Sequence, residues 1–320
     1  MYFHRYPQIT HTMTKFFISS LCSLLISFSL HAQNVPLATL PFELRNDNRI
    51  YLKCRVNGSD SLVFMFDTGA EPMVINQDIL GKKLSMNFDS EVSDVGTNGT
   101  SKIKQSKINK FSLGGIQTDS VSFVAIPYGE GSFDGVLGST FMKKYVIEIN
   151  YKKKKMSFYD PKTYRYDDKT YEKVDVRFDN QLPMIEGSII VDGKKLTGKY
   201  EMDTGSDNGL IISTPFTSKY DLIHKLKSVA HSTSVGSDGT KNTSPVVVLQ
   251  EIGFAGKHFY AIPATLSTST SGVSSYKDLA GMYGNNFLKR FDMIIDLSHN
   301  EIAIKPNNLV HTPYYDFLVQ

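Results

Sequence analysis

Residues 64–70 read FMFDTGA, and residues 200–206 read YEMDTGS. Each run places an Asp-Thr-Gly tripeptide after a short apolar stretch that is typical of a β-strand. A single Asp-Thr-Gly is weak evidence for any function, because Asp-x-Gly is ordinary turn chemistry. Two copies that stand 136 positions apart, at Asp67 and Asp203, indicate instead that the chain contains a duplicated unit.

Further landmarks accompany both motifs in the same order. The matched pairs, first copy with second, are residues 56–58 (VNG) with 191–193 (VDG), residues 95–100 (VGTNGT) with 235–240 (VGSDGT), and residues 135–145 (GVLGSTFMKKY) with 281–291 (GMYGNNFLKRF). The first pair predicts a tight hairpin before each motif, and the second pair predicts another hairpin turn after it. The conserved order with drifting offsets is typical of a duplication with insertions in loops.

Composition excludes several classes of protein. The chain has 320 residues, of which 41% are hydrophobic and 21% are charged, and its formal net charge is +3. This balance is that of a globular protein and gives no reason to expect a nucleic-acid partner. Two cysteines exclude a disulfide scaffold and a four-cysteine zinc site. We also find no HExxH, G-x-S-x-G or P-loop motif, and we predict no metal and no cofactor.

The N-terminus resembles a secretory signal peptide. Residues 16–30 carry no charge, follow Lys15 and end shortly before Ala32. The stretch is shorter than the roughly 20 apolar residues of a membrane span. We therefore predict a signal peptide over residues 1–32 with cleavage after Ala32, a secreted or periplasmic location, and no stable membrane insertion after cleavage. An uncleaved N-terminal anchor is the alternative.

The rest of the chain is predicted to be mainly β, in two similar lobes related by a pseudo-twofold axis. We expect an N-terminal lobe over residues 33–160, a polar linker over 161–172, and a C-terminal lobe with a short tail over 173–320. Helical patterns are brief. They cover residues 76–84, 140–145, 215–227 and 285–291.

The duplication suggests a chemistry for the two aspartates. A pseudo-twofold axis can bring two equivalent strand-end loops, and therefore two carboxyl groups, face to face. Two carboxylates a few ångströms apart cannot both ionise easily, so they share one proton over a broad pH range. The charged carboxylate can then act as general base for a water molecule, while the neutral one donates a hydrogen bond to a substrate carbonyl.

On these motifs the chain resembles the aspartic proteases of the retropepsin and pepsin type. It looks most similar to bacterial secreted, retropepsin-like proteins that carry two such lobes in one chain. The resemblance covers roughly residues 40–305 and implies β-barrel lobes of the acid-protease kind, with Asp67 and Asp203 as the catalytic pair. The other motif residues would support the two loops: Thr68, Gly69, Thr204 and Gly205.

The same resemblance implies a set of substrate-binding residues. After the two motifs, these are Ala70, Glu71, Ser206 and Asp207. The glycine turns would correspond to the flaps that close over bound peptide, with Gly96, Gly99, Gly236 and Gly239. In the family, an apolar-apolar-Gly element runs beside each motif loop, and residues 136–138 and 282–284 match it. Retroviral members usually place an arginine after that glycine to pair with the acid, whereas this chain has Ser139 and Asn285.

The sequence therefore predicts an aspartic endopeptidase that acts as a monomer on peptide or protein substrates. The alternative is a catalytically silent protein that binds a peptide or a glycan on the same two-lobe fold, since a fold does not guarantee an activity.

Overall fold

A computed structural model describes residues 1–2, 34–96, 98–129, 131, 133–179, 182–235 and 239–314. The chain divides into a unit Met1–Val35 and a unit Pro36–Gln320, and all elements given below lie in the second. The predicted signal peptide falls almost entirely on residues 3–33, which lie outside the described residues. The same holds for Gly236 and for the end of the predicted tail, residues 315–320.

The strands of the first half are β1 Ala38–Pro41, β2 Glu43–Leu44, β3 Ile50–Val56, β4 Leu62–Phe66, β5 Met73–Asn76, β6 Ser90–Val95, β7 Thr100–Leu113, β8 Ile116–Ile126, β9 Gly135–Leu137, β10 Val146–Asn150 and β11 Lys155–Tyr159. The strands of the second half are β12 Glu172–Val174, β13 Val176–Asp179, β14 Leu182–Val191, β15 Lys194–Asp203, β16 Leu210–Ile212, β17 Ser228–Val235, β18 Lys241–Phe254, β19 Lys257–Leu266, β20 Gly281–Gly284, β21 Phe291–Asp296 and β22 Glu301–Pro306. The helices are α1 Ser139–Met142, α2 Thr214–Lys219, α3 Leu222–Lys225 and α4 Asn285–Leu288, with 3-10 turns at Gln77–Ile79, Val273–Ser275 and Asn308–His311.

Two eight-stranded sheets have the same internal order. The N-terminal sheet runs β2-β3-β4-β9-β5-β8-β7-β6, and the C-terminal sheet runs β13-β14-β15-β20-β16-β19-β18-β17. An additional pairing of β3 with β7, and of β14 with β18, closes part of each sheet. Every strand of the second sheet occupies the place of the strand numbered eleven lower in the first. The predicted mainly β fold with two similar lobes is confirmed.

A third sheet joins the two halves. Its order is β1-β11-β10-β21-β22-β12, so each half contributes three strands. The two halves meet where β10 pairs with β21 in antiparallel register, with Ile147 opposite Ile295. Both side chains are fully buried in the main hydrophobic core. Burial of the apolar face of this sheet fixes one half of the chain against the other.

Tight turns form before both motifs, as predicted, but only the second is a two-residue hairpin. Asp192 and Gly193 join β14 directly to β15 with φ values of 50° and 71°. Asn57 and Gly58 have φ values of 50° and 76° and form a similar turn, closed by a hydrogen bond from the Ser59 amide to the Val56 carbonyl, but five residues, 57–61, separate β3 from β4. Two successive residues with positive φ are what a two-residue type I′ hairpin needs, and Asn-Gly and Asp-Gly adopt that conformation most readily. The Asp192-Gly193 hairpin thereby sets the register of β15, the strand that leads to the Asp203 loop.

The helix predictions are correct in three places and wrong in one. Helices α1, α2 and α4 begin within one residue of the predicted segments, but α2 stops at Lys219 because Asp221 has a φ of 54°, and α3 follows separately. Residues 76–84 form only a short 3-10 turn. There the Asn76 side chain caps the turn by accepting a hydrogen bond from the Asp78 amide, and Gly81 with a φ of 75° ends the pattern.

The segment predicted as a linker, residues 161–172, runs between β11 and β12, and its last residue begins β12. No helix in the described part of the chain is both long and apolar enough to cross a membrane.

Candidate active site

Both motif aspartates stand at the end of a strand that pairs in parallel with a threaded strand. Asp67 follows β4, which pairs with β9, and Asp203 is the last residue of β15, which pairs with β20. The Asp67 amide donates to the Leu137 carbonyl at 3.2 Å. Because the chain turns directly after each aspartate, the carboxyl groups project from the ends of their sheets.

The two threonines hold the loops together through reciprocal hydrogen bonds. The Thr68 amide donates to Thr204 Oγ1 and the Thr204 amide donates to Thr68 Oγ1, each at 3.0 Å. The Thr68 hydroxyl donates to the Met202 carbonyl at 2.6 Å, and the Thr204 hydroxyl donates to the Phe66 carbonyl at 3.1 Å. Both threonines are buried, so these bonds are shielded from water and fix the loops in register.

The two glycines let each carboxyl group approach the opposite loop. A Cβ atom on Gly69 would lie 2.7 Å from Cγ of Asp203, and one on Gly205 would lie 2.2 Å from Cγ of Asp67. Both distances are far below van der Waals contact. The structure thus brings Asp67 and Asp203 together, each against the glycine of the other motif.

Backbone amides orient the carboxyl groups. Gly69 donates to Asp67 Oδ1 at 2.8 Å, and Gly205 donates to Asp203 Oδ1 at 2.8 Å. Burial raises the pKa of both carboxyl groups. The pKa of Asp203 is raised further by the charge of Asp67, whereas a hydrogen bond from Asp203 and the charge of Arg49 oppose the rise in Asp67. One proton held between the two carboxyl groups is the state that these interactions favour.

A third carboxyl group, which the sequence analysis missed, lies beside the pair. Glu201 is two residues before Asp203 on β15 and is only 2% exposed. Burial, followed by the charge of Asp67, raises its pKa to about 8. A signal was present in the sequence, because the alternation of a strand places residues 201 and 203 on the same face.

Arg49 supplies a positive charge that the sequence analysis also missed. Its Nε donates to the Gly205 carbonyl at 2.6 Å, and its guanidinium lies 3.7 Å from carboxylate oxygens of Asp47 and Asp207. The side chain is partly buried, with 27% exposed. An arginine from the turn before β3 therefore pairs with the acid after the second motif, where retroviral proteases use an arginine after the threading glycine.

The predicted substrate-binding residues after each motif lie beside the pair. The Ala70 carbonyl accepts a hydrogen bond from the Ser139 amide at 2.8 Å, and the Ser206 carbonyl accepts one from the Asn285 amide at 2.7 Å. These equivalent bonds tie each loop to the helix that follows the threaded strand. Glu71 and Asp207 have exposed side chains at the outer side of the loops. Their binding role stays a prediction.

The first predicted flap turn, residues 96–99, reaches the other half of the molecule. Gly96 donates to the Gly99 carbonyl at 2.9 Å within the turn. Asn98 is 2% exposed, and its side-chain amide donates to Ser234 Oγ at 3.1 Å and to the Thr240 carbonyl at 3.3 Å. In addition, the Gly96 carbonyl accepts from the Val273 amide at 3.0 Å.

The second predicted turn is described only in part. Gly239 has a φ of 80° and directly precedes Thr240, and Gly236 lies outside the described residues. The first turn therefore meets the second hairpin close to its tip. The assignment of these two turns as flaps that close over a bound peptide stays a prediction.

Tyr128 is a partly exposed aromatic residue after β8 that lies within range of the charges of Asp67 and Asp94. Desolvation and the charges of Asp67 and Asp94 raise the pKa of its phenol, and Asp94 is on β6. Its ring packs on Phe133 with a centroid distance of 5.0 Å. The N-terminal side of the site therefore contains an aromatic surface next to Asp67.

The arrangement can perform acid–base chemistry on a polar substrate. It offers two adjacent carboxyl groups with one proton, oriented by backbone amides in a buried setting. In the described part of the chain, no group of three or more His, Cys, Asp or Glu side chains is arranged to hold a metal ion.

Comparison with known proteins is consistent with this geometry. A family model described as "Aspartyl protease" matches residues 52–141, a segment that contains Asp67 and ends before Asp203. The crystal structure of aspartic proteinase from Irpex lacteus is similar with a TM-score of 0.58 and 12% sequence identity, over 86% of this chain and 98% of that chain. No curated protein sequence matches this chain. At this identity the structural similarity shows a shared fold.

Proposed function

We propose that this protein, which resembles the pepsin- and retropepsin-like aspartic proteases, is an endopeptidase. It would hydrolyse peptide bonds with a water molecule activated between Asp67 and Asp203. The observation that carries the proposal is the mutual approach of each carboxyl group to the glycine of the opposite motif. An ordinary turn aspartate has no need of such a partner.

The mechanism follows from the shared proton. The ionised carboxylate, Asp67, takes a proton from water as the water oxygen attacks the carbonyl carbon of the substrate. The protonated Asp203 donates a hydrogen bond and then its proton to the carbonyl oxygen, which gives a neutral tetrahedral diol. Collapse of the diol breaks the C–N bond. The nitrogen leaves as an amine with a proton from Asp67, and Asp203 recovers its proton from a diol hydroxyl.

Digestion of a peptide library with two asparagine variants tests the proposal. Asp67→Asn and Asp203→Asn each remove one member of the pair and retain its size. We expect each variant to lower kcat/KM by roughly a thousandfold or more, because general acid–base chemistry is lost. Circular dichroism and thermal unfolding would establish that both variants remain folded.

Asp192→Asn is the matched control. Asp192 is an exposed turn residue with a φ of 50°, and the equivalent residue of the first hairpin is already Asn57. This variant should cleave the library as the unmodified protein does. Cleavage that persists in Asp67→Asn or Asp203→Asn would exclude the mechanism. Saturable peptide or glycan binding without any cleavage, preserved in Asp67→Asn, would favour the silent binding protein.

We further propose that the protein acts outside the cytoplasm as a monomer. The support is the apolar stretch before Ala32 and the presence of both motifs in one chain. Mass spectrometry of the protein from its native host should find a new N-terminus at Gln33. An intact N-terminus would favour a membrane anchor, and light scattering would reveal a dimer.

A further inference from the structure

Equivalent strands place two matching rows of side chains next to the aspartates. In the N-terminal row, cross-strand neighbours follow the order Tyr51, Met65, Val136 and Val74. In the C-terminal row, they follow the order Met184, Glu201, Met282 and Ile211. All eight side chains are buried. The two rows occupy the same register, and Glu201 stands where the other row has Met65.

Both rows lie on the face of their sheet that carries the aspartates. Tyr200 and Met202 belong to the main hydrophobic core, so the intervening Glu201 projects from the opposite face of β15, as Asp203 does. The N-terminal row forms a small apolar cluster separate from the main core, which includes Ala70 and Phe133 at its border. Each row therefore lies on the same sheet face as one member of the carboxyl pair.

The Glu201 carboxyl group has no partner that would explain its burial. In the described part of the chain no hydrogen bond and no ion pair reaches it, its neighbours in the row are two methionines, and its charged neighbours are the two aspartates; its oxygens are not fully enclosed. Leaving a carboxyl group buried and unpaired destabilises a protein, and such groups are retained mainly where they serve a ligand or a reaction. The raised pKa of Glu201 agrees with a group that stays neutral until a cation arrives.

A bound substrate would bring a side chain to this group. The scissile carbonyl must lie between Asp67 and Asp203, and in an extended peptide successive side chains point in opposite directions. The residues on the two sides of the scissile bond therefore face different rows. One meets the apolar N-terminal row and the other meets Glu201.

We propose that Glu201 is a specificity-determining residue that selects a lysine or arginine side chain on the substrate residue facing the C-terminal row. The N-terminal row would take an apolar or aromatic residue on the other side of the bond. This inference deepens the proposed endopeptidase function and rests on it. A cationic side chain that enters the site gives the carboxylate the opposite charge that it lacks in the free protein.

Pairs of peptides that differ in one residue test the proposal. Each pair carries lysine or the neutral, similarly shaped norleucine next to the scissile bond, on one side or the other. We expect the unmodified protein to favour lysine by about tenfold or more in kcat/KM on one side only, because a charged hydrogen bond is worth that factor. In Glu201→Gln the ratio should fall to about one or lower.

Glu186→Gln is the control for the same chemical change at an exposed site on the neighbouring strand β14, and it should keep the ratio of the unmodified protein. A ratio of about one in the unmodified protein would overturn the proposal, whether or not the variant folds. An undiminished ratio in folded Glu201→Gln would overturn it as well.

Binding measured without cleavage separates this inference from the proposed function. Peptides whose central amide carbonyl is reduced to methylene cannot be hydrolysed at that bond, and calorimetry gives the dissociation constants of the lysine and norleucine forms. If the lysine form binds more tightly but the protein cleaves no peptide, the endopeptidase function is excluded and the cation-binding role of Glu201 is supported. Equal binding of the two forms would overturn the cation site.

Discussion

The N-terminal and C-terminal rows have the same backbone register and different chemistry. Met65 and Glu201 each stand two residues before a motif aspartate, each on the strand that carries it, yet one is apolar and the other is acidic. By contrast, the Asp-Thr-Gly loops are reciprocal down to individual hydrogen bonds. The duplication has therefore kept the symmetry where the two halves must fit each other, and has lost it in the rows that we propose to face the substrate.

Arg49 shows the same loss of symmetry on the opposite side. By strand register its counterpart is Leu182, since Tyr51 is opposite Met65 and Met184 is opposite Glu201. The loop of Asp203 thus receives a cation from the turn between β2 and β3, and among the described residues the position equivalent to Arg49 holds the apolar Leu182. The two aspartates have equivalent backbone environments, but the halves place different charged residues beside them. The C-terminal half contributes the acid Glu201, and the N-terminal half contributes the base Arg49.

Among the variants that test this comparison, those in the symmetric Asp-Thr-Gly loops have the largest expected effect. In Gly205→Ala the new methyl group would meet the Asp67 carboxyl at 2.2 Å, and in Gly69→Ala it would meet that of Asp203 at 2.7 Å. Since amide hydrogen bonds hold both carboxyl groups, one of them must leave its position. We expect each variant to lose about a hundredfold or more in kcat/KM, with Gly205→Ala at least as impaired.

Peptide hydrolysis measured beside thermal unfolding checks this prediction. Gly58→Ala, at a turn glycine whose Cβ would meet nothing within 4 Å, is the control for loss of a glycine, although its φ of 76° adds strain of its own. Full activity in both motif variants would show that the carboxyl groups do not need this approach.

A second prediction sharpens the contrast between Met65 and Glu201. Burial and the charge of Asp67 raise the Glu201 pKa from the ordinary 4.5 to about 8, so the folded protein keeps a proton that the unfolded chain releases. Stability contributed by this proton is complete below pH 4.5 and is lost as the pH rises to about 8. The free energy of unfolding of Glu201→Gln, relative to that of the unmodified protein, should therefore increase by up to a few kcal/mol between pH 4.5 and pH 8.

Urea unfolding at pH 4.5 and pH 8 measures this gain. Asp67 and Asp203 face Glu201 and titrate in both proteins. The quantity compared is therefore the difference in unfolding free energy between variant and unmodified protein, measured once at pH 4.5 and once at pH 8. The exposed Glu186→Gln should show no such growth, because its side chain is in water in both states. A gain that is constant with pH would mean that Glu201 is not the group responsible.

The smallest expected effect concerns Arg49. Its charge opposes the rise in the pKa of Asp67, so its removal raises that pKa and leaves the general base protonated to higher pH. In Arg49→Leu, which copies Leu182, the acid limb of the kcat/KM profile should move upward by about one pH unit or less. Arg49→Lys keeps the charge and should move it less. An acid limb that moves downward in Arg49→Leu would contradict this electrostatic role.

Local patterns were sufficient for the features that short segments determine. The Asn57-Gly58 and Asp192-Gly193 turns and the two strand-end motifs could all be predicted, because the needed conformations are encoded in two or three residues. The sequence did not indicate which strands of the two halves pair. The pairing of β10 with β21 joins positions more than a hundred residues apart, and only the assembled core decides it.

The two site residues that the sequence analysis missed also differ in whether a local pattern could have revealed them. Glu201 lies inside the quoted motif run, and strand alternation alone could have placed it on the face of Asp203. Arg49 had no such signal, since its contact with Gly205 spans 156 residues. The predicted helix over 76–84 failed because an Asn76 cap and the positive φ of Gly81 favour a single tight turn over a longer helix.

The sheet shared by the two halves also orders events on the ribosome. A nascent chain completes β10 at residue 150 and reaches β21 only at residue 291, so the middle of this sheet stays an open edge while the intervening residues are synthesised. The C-terminal sheet likewise waits for β20, which emerges after both aspartates. The two carboxyl groups can therefore reach their common geometry only when the chain is nearly complete, and any growing fragment carries the motifs without the frame that pairs them.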